Sequence, residues 1–248
     1  MLLHPTIETL KDLRLFGMVK ALQEQENTPE WRQLEFEERL GLLVDRERVE
    51  QENRSLTSRL RRARLGQQAA IEDLDLKNSR GLDRSLLAAL STCTWITSHH
   101  NVLITGPTGV GKSYLACALG HKACREGASV LYHRTSRLFS ELSIAHGEGR
   151  YLRLLKILAH ADLLILDDWG LTPLNAEQRR DLLELIEDRH ARKSTIVTSQ
   201  LPVDSWHQWL GDETLADAIL DRLVHNAYKI NLKGESMRKN LTKTLNLK

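Results

Sequence analysis

Eight residues constrain this chain more than any others: Gly106-Pro107-Thr108-Gly109-Val110-Gly111-Lys112-Ser113. An apolar, β-prone run, Asn101-Val102-Leu103-Ile104-Thr105, leads into them, and the helix-compatible Tyr114-Leu115-Ala116-Cys117-Ala118-Leu119 follows at once. A strand, a glycine loop and a helix in that order form the cradle of a nucleoside-triphosphate site. Glycines allow backbone angles closed to other residues, so successive N–H groups can turn inward onto phosphate oxygens. The helix opening near Lys112 adds the positive end of its dipole. The pattern assigns Gly106, Pro107, Thr108, Gly109, Val110, Gly111, Lys112 and Ser113 to a nucleoside triphosphate. Lys112 reaches the β- and γ-phosphates, and the Ser113 hydroxyl sits on Mg²⁺.

A strand that feeds such a loop needs parallel partners, and the sequence supplies them. From about Leu86 onward, helical segments alternate with the β-runs Asn101–Thr105, Ser129–Tyr132, Leu163–Asp167, Ser194–Thr198 and Ala227–Leu232. Most are continuous apolar or β-branched runs, as expected where helices cover both faces of a parallel sheet. The fold class is therefore α/β, a three-layer P-loop core with a parallel five-stranded sheet.

The first 65 residues differ. Ile7, Leu10, Leu13, Phe16 and Met18, then Phe36, Leu40, Leu43 and Val44, fall at helical spacing with no strand-like alternation. Thr28-Pro29-Glu30 is a helix-start signal, and the pattern from Leu34 to Leu65 is compatible with one long helix whose weakest point is Asn53. Gly66, Asn78-Ser79 and Gly81 act as breakers. The expected organisation is an all-helical N-terminal domain over 1–65, a linker over 66–85, and an ATPase core with a basic tail over 86–248.

Composition excludes several classes. No apolar run approaches the ~20 residues of a membrane span and no signal-peptide pattern opens the chain, so a cytoplasmic protein without membrane partner is expected. Cys93, Cys117 and Cys124 have no metal-ligand spacing and read as buried thiols. His99-His100 likewise reads as an ordinary loop pair, and Trp206 and Trp209 as packing anchors. Net charge is only +2, but residues 1–53 carry twelve acids against seven bases, while residues 54–68 carry five arginines and no acid. On a helix, Arg54, Arg59, Arg61, Arg62 and Arg64 fan away from a seam of Leu56, Leu60 and Ala63, making either a solvated or coiled-coil face or a candidate surface for a polyanion such as DNA. No recognition-helix motif accompanies them, so binding is expected to be phosphate-dominated, salt-sensitive and largely independent of sequence. Lys229, Lys233, Lys239, Lys243 and Lys248 form a weaker second candidate.

The second half of the nucleotide site is Leu163-Leu164-Ile165-Leu166-Asp167-Asp168. An apolar strand ending in paired carboxylates assigns Asp167 to Mg²⁺ and Asp168 to polarising the attacking water. The next strand ends Val197-Thr198-Ser199-Gln200, where either Ser199, the first choice, or Thr198 can sense the γ-phosphate, or simply cap the turn. Asp221-Arg222-Leu223 places an arginine on a helix after the core strands, fitting either a surface ion pair or a transition-state arginine given to a neighbouring subunit.

Beyond these elements an ordered set of short motifs runs nearly end to end. It comprises Leu13-Arg14-Leu15-x-Gly17-Met18, Phe36-Glu37-Glu38-Arg39-Leu40, Leu43-x-Asp45-Arg46-Glu47 and Glu52-Asn53-Arg54. The core adds Leu166-Asp167-Asp168-Trp169-Gly170, Ser199-Gln200-Leu201-Pro202, Ala216–Leu223 and Gly234-Glu235-Ser236-Met237-Arg238. In these the chain resembles the IstB-type ATPases of insertion sequences, relatives of the DnaC helicase loader and the DnaA initiator within the AAA+ class. The resemblance implies a transposition helper, a slow and DNA-stimulated ATPase that multimerises on duplex target DNA, remodels it, and recruits or activates a partner transposase. It further implies that Arg222 acts in trans as an arginine finger and that Arg238 senses nucleotide. Only ~16 residues follow the last strand run, too few for the multi-helix lid from which such an arginine usually acts. A DnaC-like helicase loader and a non-hydrolysing architectural clamp are the competing readings.

Overall fold

Helix, strand and loop are described over residues 3–74 and 81–237 of a computed structural model. The chain divides into two compact units, Met1–Ser58 and Arg59–Lys248.

The first unit is helical: α1 (Leu3–Asp12), α2 (Phe16–Asn27), a 3-10 turn over Pro29–Gln33, and α3 (Phe36–Ala63), whose last turn belongs to the second unit. One buried carboxylate organises it. Glu47 on α3 accepts from the backbone N–H of Gly17 at 2.6 Å and of Met18 at 3.1 Å, satisfying donors that the first turn of α2 leaves open. A β-carbon at Gly17 would lie 2.6 Å from Glu47 Cα, so glycine is what lets the two helices cross so closely. Arg54 donates to Glu47 at 2.9 Å and to the Arg14 carbonyl at 3.3 Å, with its guanidinium 5.3 Å from the Phe16 ring centre.

The second unit holds α4 (Arg84–Ser91), α5 (Thr94–Thr97), β1 (Asn101–Thr105), α6 (Lys112–Arg125), β2 (Val130–Arg134), α7 (Thr135–Gly147) and α8 (Tyr151–His160). There follow β3 (Leu163–Trp169), α9 (Ala176–Arg189), β4 (Ser194–Ser199), α10 (Trp206–Leu210), α11 (Glu213–Val224) and β5 (Ala227–Asn231). The five strands form one parallel sheet in the order β2-β3-β4-β1-β5. Each expected run is a strand, displaced by one or two residues at most. Parallel strands need crossovers, and the intervening helices supply them. β1, β3 and β4 are buried along nearly their whole length, as their unbroken apolar and β-branched runs require. Trp169 and Trp206 are fully buried, with ring centres 5.4 Å apart, and Trp209 lies 4.9 Å from Trp169. Trp206 and Trp209 are thus the anchors expected.

The segment after α3 departs from expectation. Residues 66–74 are not a free linker but line the core. Ala69 is buried with Cys117 and Ala118 of α6, and Leu65, Ile71, Tyr114 and Tyr132 close around them. The sequence cue misleads because glycine both breaks helices and permits close packing, and here Gly66 serves the second purpose against the Tyr132 ring. From Arg84 the chain is already helical, with Asp83 capping α4 through Ser85 N–H.

Candidate nucleotide-binding site

β1 delivers the chain into the glycine loop, and α6 leaves it at Lys112. Gly106, Gly109 and Gly111 take φ of 144°, 83° and 101°, a region open to glycine and strained for other residues. Lys112 is 8% exposed, and its ammonium donates to the carbonyls of Gly106 and Pro107, each at 2.8 Å. Burial pulls its pKa down, while Asp168 and Asp167 oppose that pull. Thr108 donates to Gln200 Oε1 at 2.7 Å, tying the loop to the segment after β4.

A cavity of about 440 Å³ opens over this loop. Residues 108–115 line it together with Asp168, Gln200, Gln67, Asp73, Leu74, Leu82, Leu232 and Met237. The lining combines backbone donors and a cation from the loop with the apolar side chains of Leu74, Leu82, Leu232 and Met237. That combination suits a molecule with an anionic tail and a flat, mostly apolar head. Sequence reasoning missed the apolar lining because its residues sit in short, irregular segments with no periodicity.

The paired carboxylates lie at a register shift. Leu166 pairs with Val197 and Trp169 with Ser199, so Asp167 and Asp168 together oppose Thr198 alone. Such a bulge re-aims side chains at a strand's end, and Asp168 takes a left-handed φ of 61°. Asp167 is 1% exposed. Its Oδ1 accepts from Ser113 Oγ at 2.8 Å and from Thr198 Oγ1, and its Oδ2 accepts from Tyr132 OH at 2.5 Å. Asp168 N–H donates to Thr198 Oγ1 at 3.2 Å, and the Asp168 carboxylate lies 3.8 Å from Arg134 Nε.

The two candidates at the end of β4 have different partners. Ser199 is fully buried, donates to the Trp169 carbonyl at 2.8 Å and accepts from Leu201 N–H at 3.0 Å. Successive strand residues face opposite ways, so Thr198, not Ser199, joins the carboxylates.

The donor set fits magnesium triphosphate. A serine hydroxyl and a buried carboxylate 2.8 Å apart, beside a helix N-terminus and a lysine, are the oxygen ligands and cations that group requires. Ser113 and Asp167 would hold the metal, and Lys112 would leave the loop carbonyls for phosphate. Among the described residues no cluster of histidine, cysteine and carboxylate side chains suits a transition metal. Burial raises the pKa of all three cysteines, that of Cys124 to about 11, so they are neutral thiols.

A sequence model of the family described as IstB-like ATP binding protein matches residues 8–244. The chain belongs to that family. A putative insertion sequence ATP-binding protein of Sinorhizobium fredii is 56% identical over 240 residues, covering 97% of this chain and 98% of the relative. The insertion sequence IS21 putative ATP-binding protein of Pseudomonas aeruginosa is 36% identical over 236 residues, covering 95% and 88%. Among solved structures, DnaI superposes with a TM-score of 0.59 at 21% identity, covering 67% of this chain and 92% of DnaI. The DnaC helicase loader gives 0.55 at 20%, covering 66% and 97%. At that identity the likeness is one of fold, the α/β P-loop AAA+ fold.

Within this IstB-like chain the remaining predicted residues separate. Arg222 donates to the Ala218 carbonyl at 2.8 Å and pairs with Glu187 at 2.8 Å. Asn101, the first residue of β1, bonds the carbonyls of Arg222 and Leu223. The Arg222 backbone therefore sits at the opposite end of β1 from the glycine loop, ~13 Å away at ordinary strand rise. Of the five arginines, Arg54 is committed to Glu47, and Arg59 donates to the Cys124 carbonyl at 2.8 Å, in the last turn of α6. Arg61, Arg62 and Arg64 are exposed, Ala63 between them is buried, and Leu56 and Leu60 are half-buried. Arg238, with Lys239, Lys243 and Lys248, lies outside the described residues. No described helix is long and apolar enough to cross a membrane.

Proposed function

We propose that this IstB-like protein is an ATP-dependent DNA-binding helper of transposition. It binds magnesium ATP, multimerises on duplex DNA, hydrolyses the nucleotide slowly, and engages a partner transposase. The observation that carries the nucleotide reading is the buried Asp167 carboxylate, gripped by Ser113 and Thr198 beside the glycine loop. Asp168 is the group that polarises the attacking water, because its carboxylate projects from the same bulge and lines the cavity. Bound magnesium would draw charge from the β- and γ-phosphates, and the chain's own part is to position and to exclude water.

The transposition reading rests on relatives named as insertion sequence ATP-binding proteins over nearly the whole chain. Exposed Arg61, Arg62 and Arg64 support a phosphate contact in which the duplex backbone, not the base sequence, is read. Arg222 is proposed to serve the site of an adjoining copy, since within its own chain it lies a strand length from the loop.

Calorimetry with magnesium ATP, on the wild-type chain and on Lys112→Ala, tests the core of this. Wild type is expected to release heat on binding, and the variant to lose that heat together with nucleotide-dependent multimers. Undiminished binding or multimers in Lys112→Ala would refute the assignment. Phosphate release stimulated by long duplex DNA separates the helper from a purely architectural clamp, which predicts none.

A further inference from the structure

The Asp167 carboxylate has a partner that neither a P-loop nor an acidic strand end calls for. Tyr132 lies on β2, two residues before Arg134, which pairs in register with Asp167. Its hydroxyl donates to Asp167 Oδ2 at 2.5 Å, on the oxygen that Ser113 and Thr198 leave alone. Arg134 Nε, on the same strand, lies 3.8 Å from the Asp168 carboxylate. The hydroxyl thus fixes the rotation of Asp167 beside the cation that faces Asp168.

The other side of the ring meets the segment that follows the arginine run. A β-carbon at Gly66 would come 2.6 Å from both Cζ and OH of Tyr132. Leu65, Ile71 and Tyr132 all pack against one buried cluster, Ala69 with Cys117 and Ala118 of α6. The exposed Arg61, Arg62 and Arg64 lie two to five residues before Gly66. A displacement of that segment toward the core can be taken up by few groups, and the phenol is the nearest.

We propose that Tyr132 is the positioning residue of the metal-holding aspartate, and that the Leu65–Ile71 segment acts on the metal site through its ring. The proposal rests on Asp167 being the magnesium carboxylate. Removing the hydroxyl frees the carboxylate to rotate and leaves Oδ2 without its donor in a buried place. Magnesium then has to restore an orientation that the wild-type chain holds in advance.

The test is a titration of magnesium at fixed fluorescent ATP analogue on the full chain, read as the magnesium concentration at half-maximal binding. Tyr132→Phe, which removes one oxygen, is expected to need roughly tenfold more magnesium, the equivalent of ~1.4 kcal/mol for a hydrogen bond to a charged group. Its affinity for the nucleotide without metal should match wild type, which a general loss of packing would not allow. Gly66→Ala should shift the magnesium requirement in the same direction, and the double variant should be no worse than Tyr132→Phe alone. A wild-type magnesium requirement in Tyr132→Phe overturns the positioning role. Additive effects in the double variant overturn the route through the ring. Asp167→Asn separates this from the reading beneath it: if that variant keeps the wild-type requirement, the nucleotide site itself is misassigned.

Discussion

Thr198 and Ser199 are neighbours with the same functional group, and their surroundings give them different work. Thr198 faces two carboxylates across the bulge, donating to Asp167 and accepting from Asp168 N–H. Ser199 faces the Trp169 carbonyl and Leu201 N–H in a fully buried place. Thr198→Ala is therefore expected to slow hydrolysis about 10- to 100-fold, the range of one hydrogen bond to a charged group, with nucleotide affinity nearly unchanged. Ser199→Ala should leave a buried acceptor and a buried donor unpaired at a cost of about 1–3 kcal/mol, lowering the melting temperature by several degrees. Single-turnover hydrolysis and thermal melts on both variants check the pair, and a reversed pattern would return Ser199 to the site. Sequence could not decide between them, because the choice depends on which face each residue takes. That face is set by a register shift no local pattern announces. Tyr132 was invisible for a related reason: a tyrosine in a strand is ordinary, and only the parallel pairing of β2 with β3 brings it to Asp167.

The strands were legible because burial on both faces leaves a continuous apolar run, and the glycine loop because its backbone excludes other residues. Legibility failed at residues 66–74, where Gly66 looked like punctuation but serves close packing. It also failed at the strand starts, which are held by side chains far apart in sequence. Asp162, just before β3, accepts from Ser129 N–H and Oγ at 2.9 and 2.7 Å, and from Lys193 Nζ at 2.6 Å, joining the beginnings of β2, β3 and β4. Burial alone would raise its carboxyl, but the bonds from Lys193 and Ser129 outweigh that and hold it at about 2. A depressed carboxyl stabilises the fold above its unfolded pKa near 4, and that contribution disappears as pH falls through about 2. Asp162→Asn keeps the shape but not the charge. It should lower stability at neutral pH by at most about 1 kcal/mol, since the pair is partly exposed and screened. The difference from wild type should close between about pH 4 and pH 2. Denaturant melts across that range read it directly, and a constant difference would show that the ion pair contributes nothing.

At the scale of the whole molecule, the exposed arginines and the proposed nucleotide chemistry lie apart along one chain. Three exposed arginines lie outside the cavity that would take the triphosphate, so replacing Arg61, Arg62 and Arg64 with alanine should spare nucleotide binding. It should lessen the steepness of log affinity for duplex DNA against log salt by about 1 for each phosphate left without its cation. An unchanged salt slope would move the DNA surface elsewhere. Arg222 poses the sharper test, because it lies at the opposite end of β1 from its own glycine loop. A heterologous, head-to-tail contact between copies presents the far end of one subunit to the loop of the next. Lys112→Ala removes the phosphate lysine and Arg222→Ala the proposed finger, so each protein alone should hydrolyse ATP poorly. Mixed in equal amounts, the two can form interfaces in which an intact loop meets an intact arginine. Random assembly makes these about a quarter of the total, and hydrolysis should recover toward that fraction. A mixture as inactive as its components would mean that Arg222 serves its own chain through Glu187, as an ion pair and nothing more.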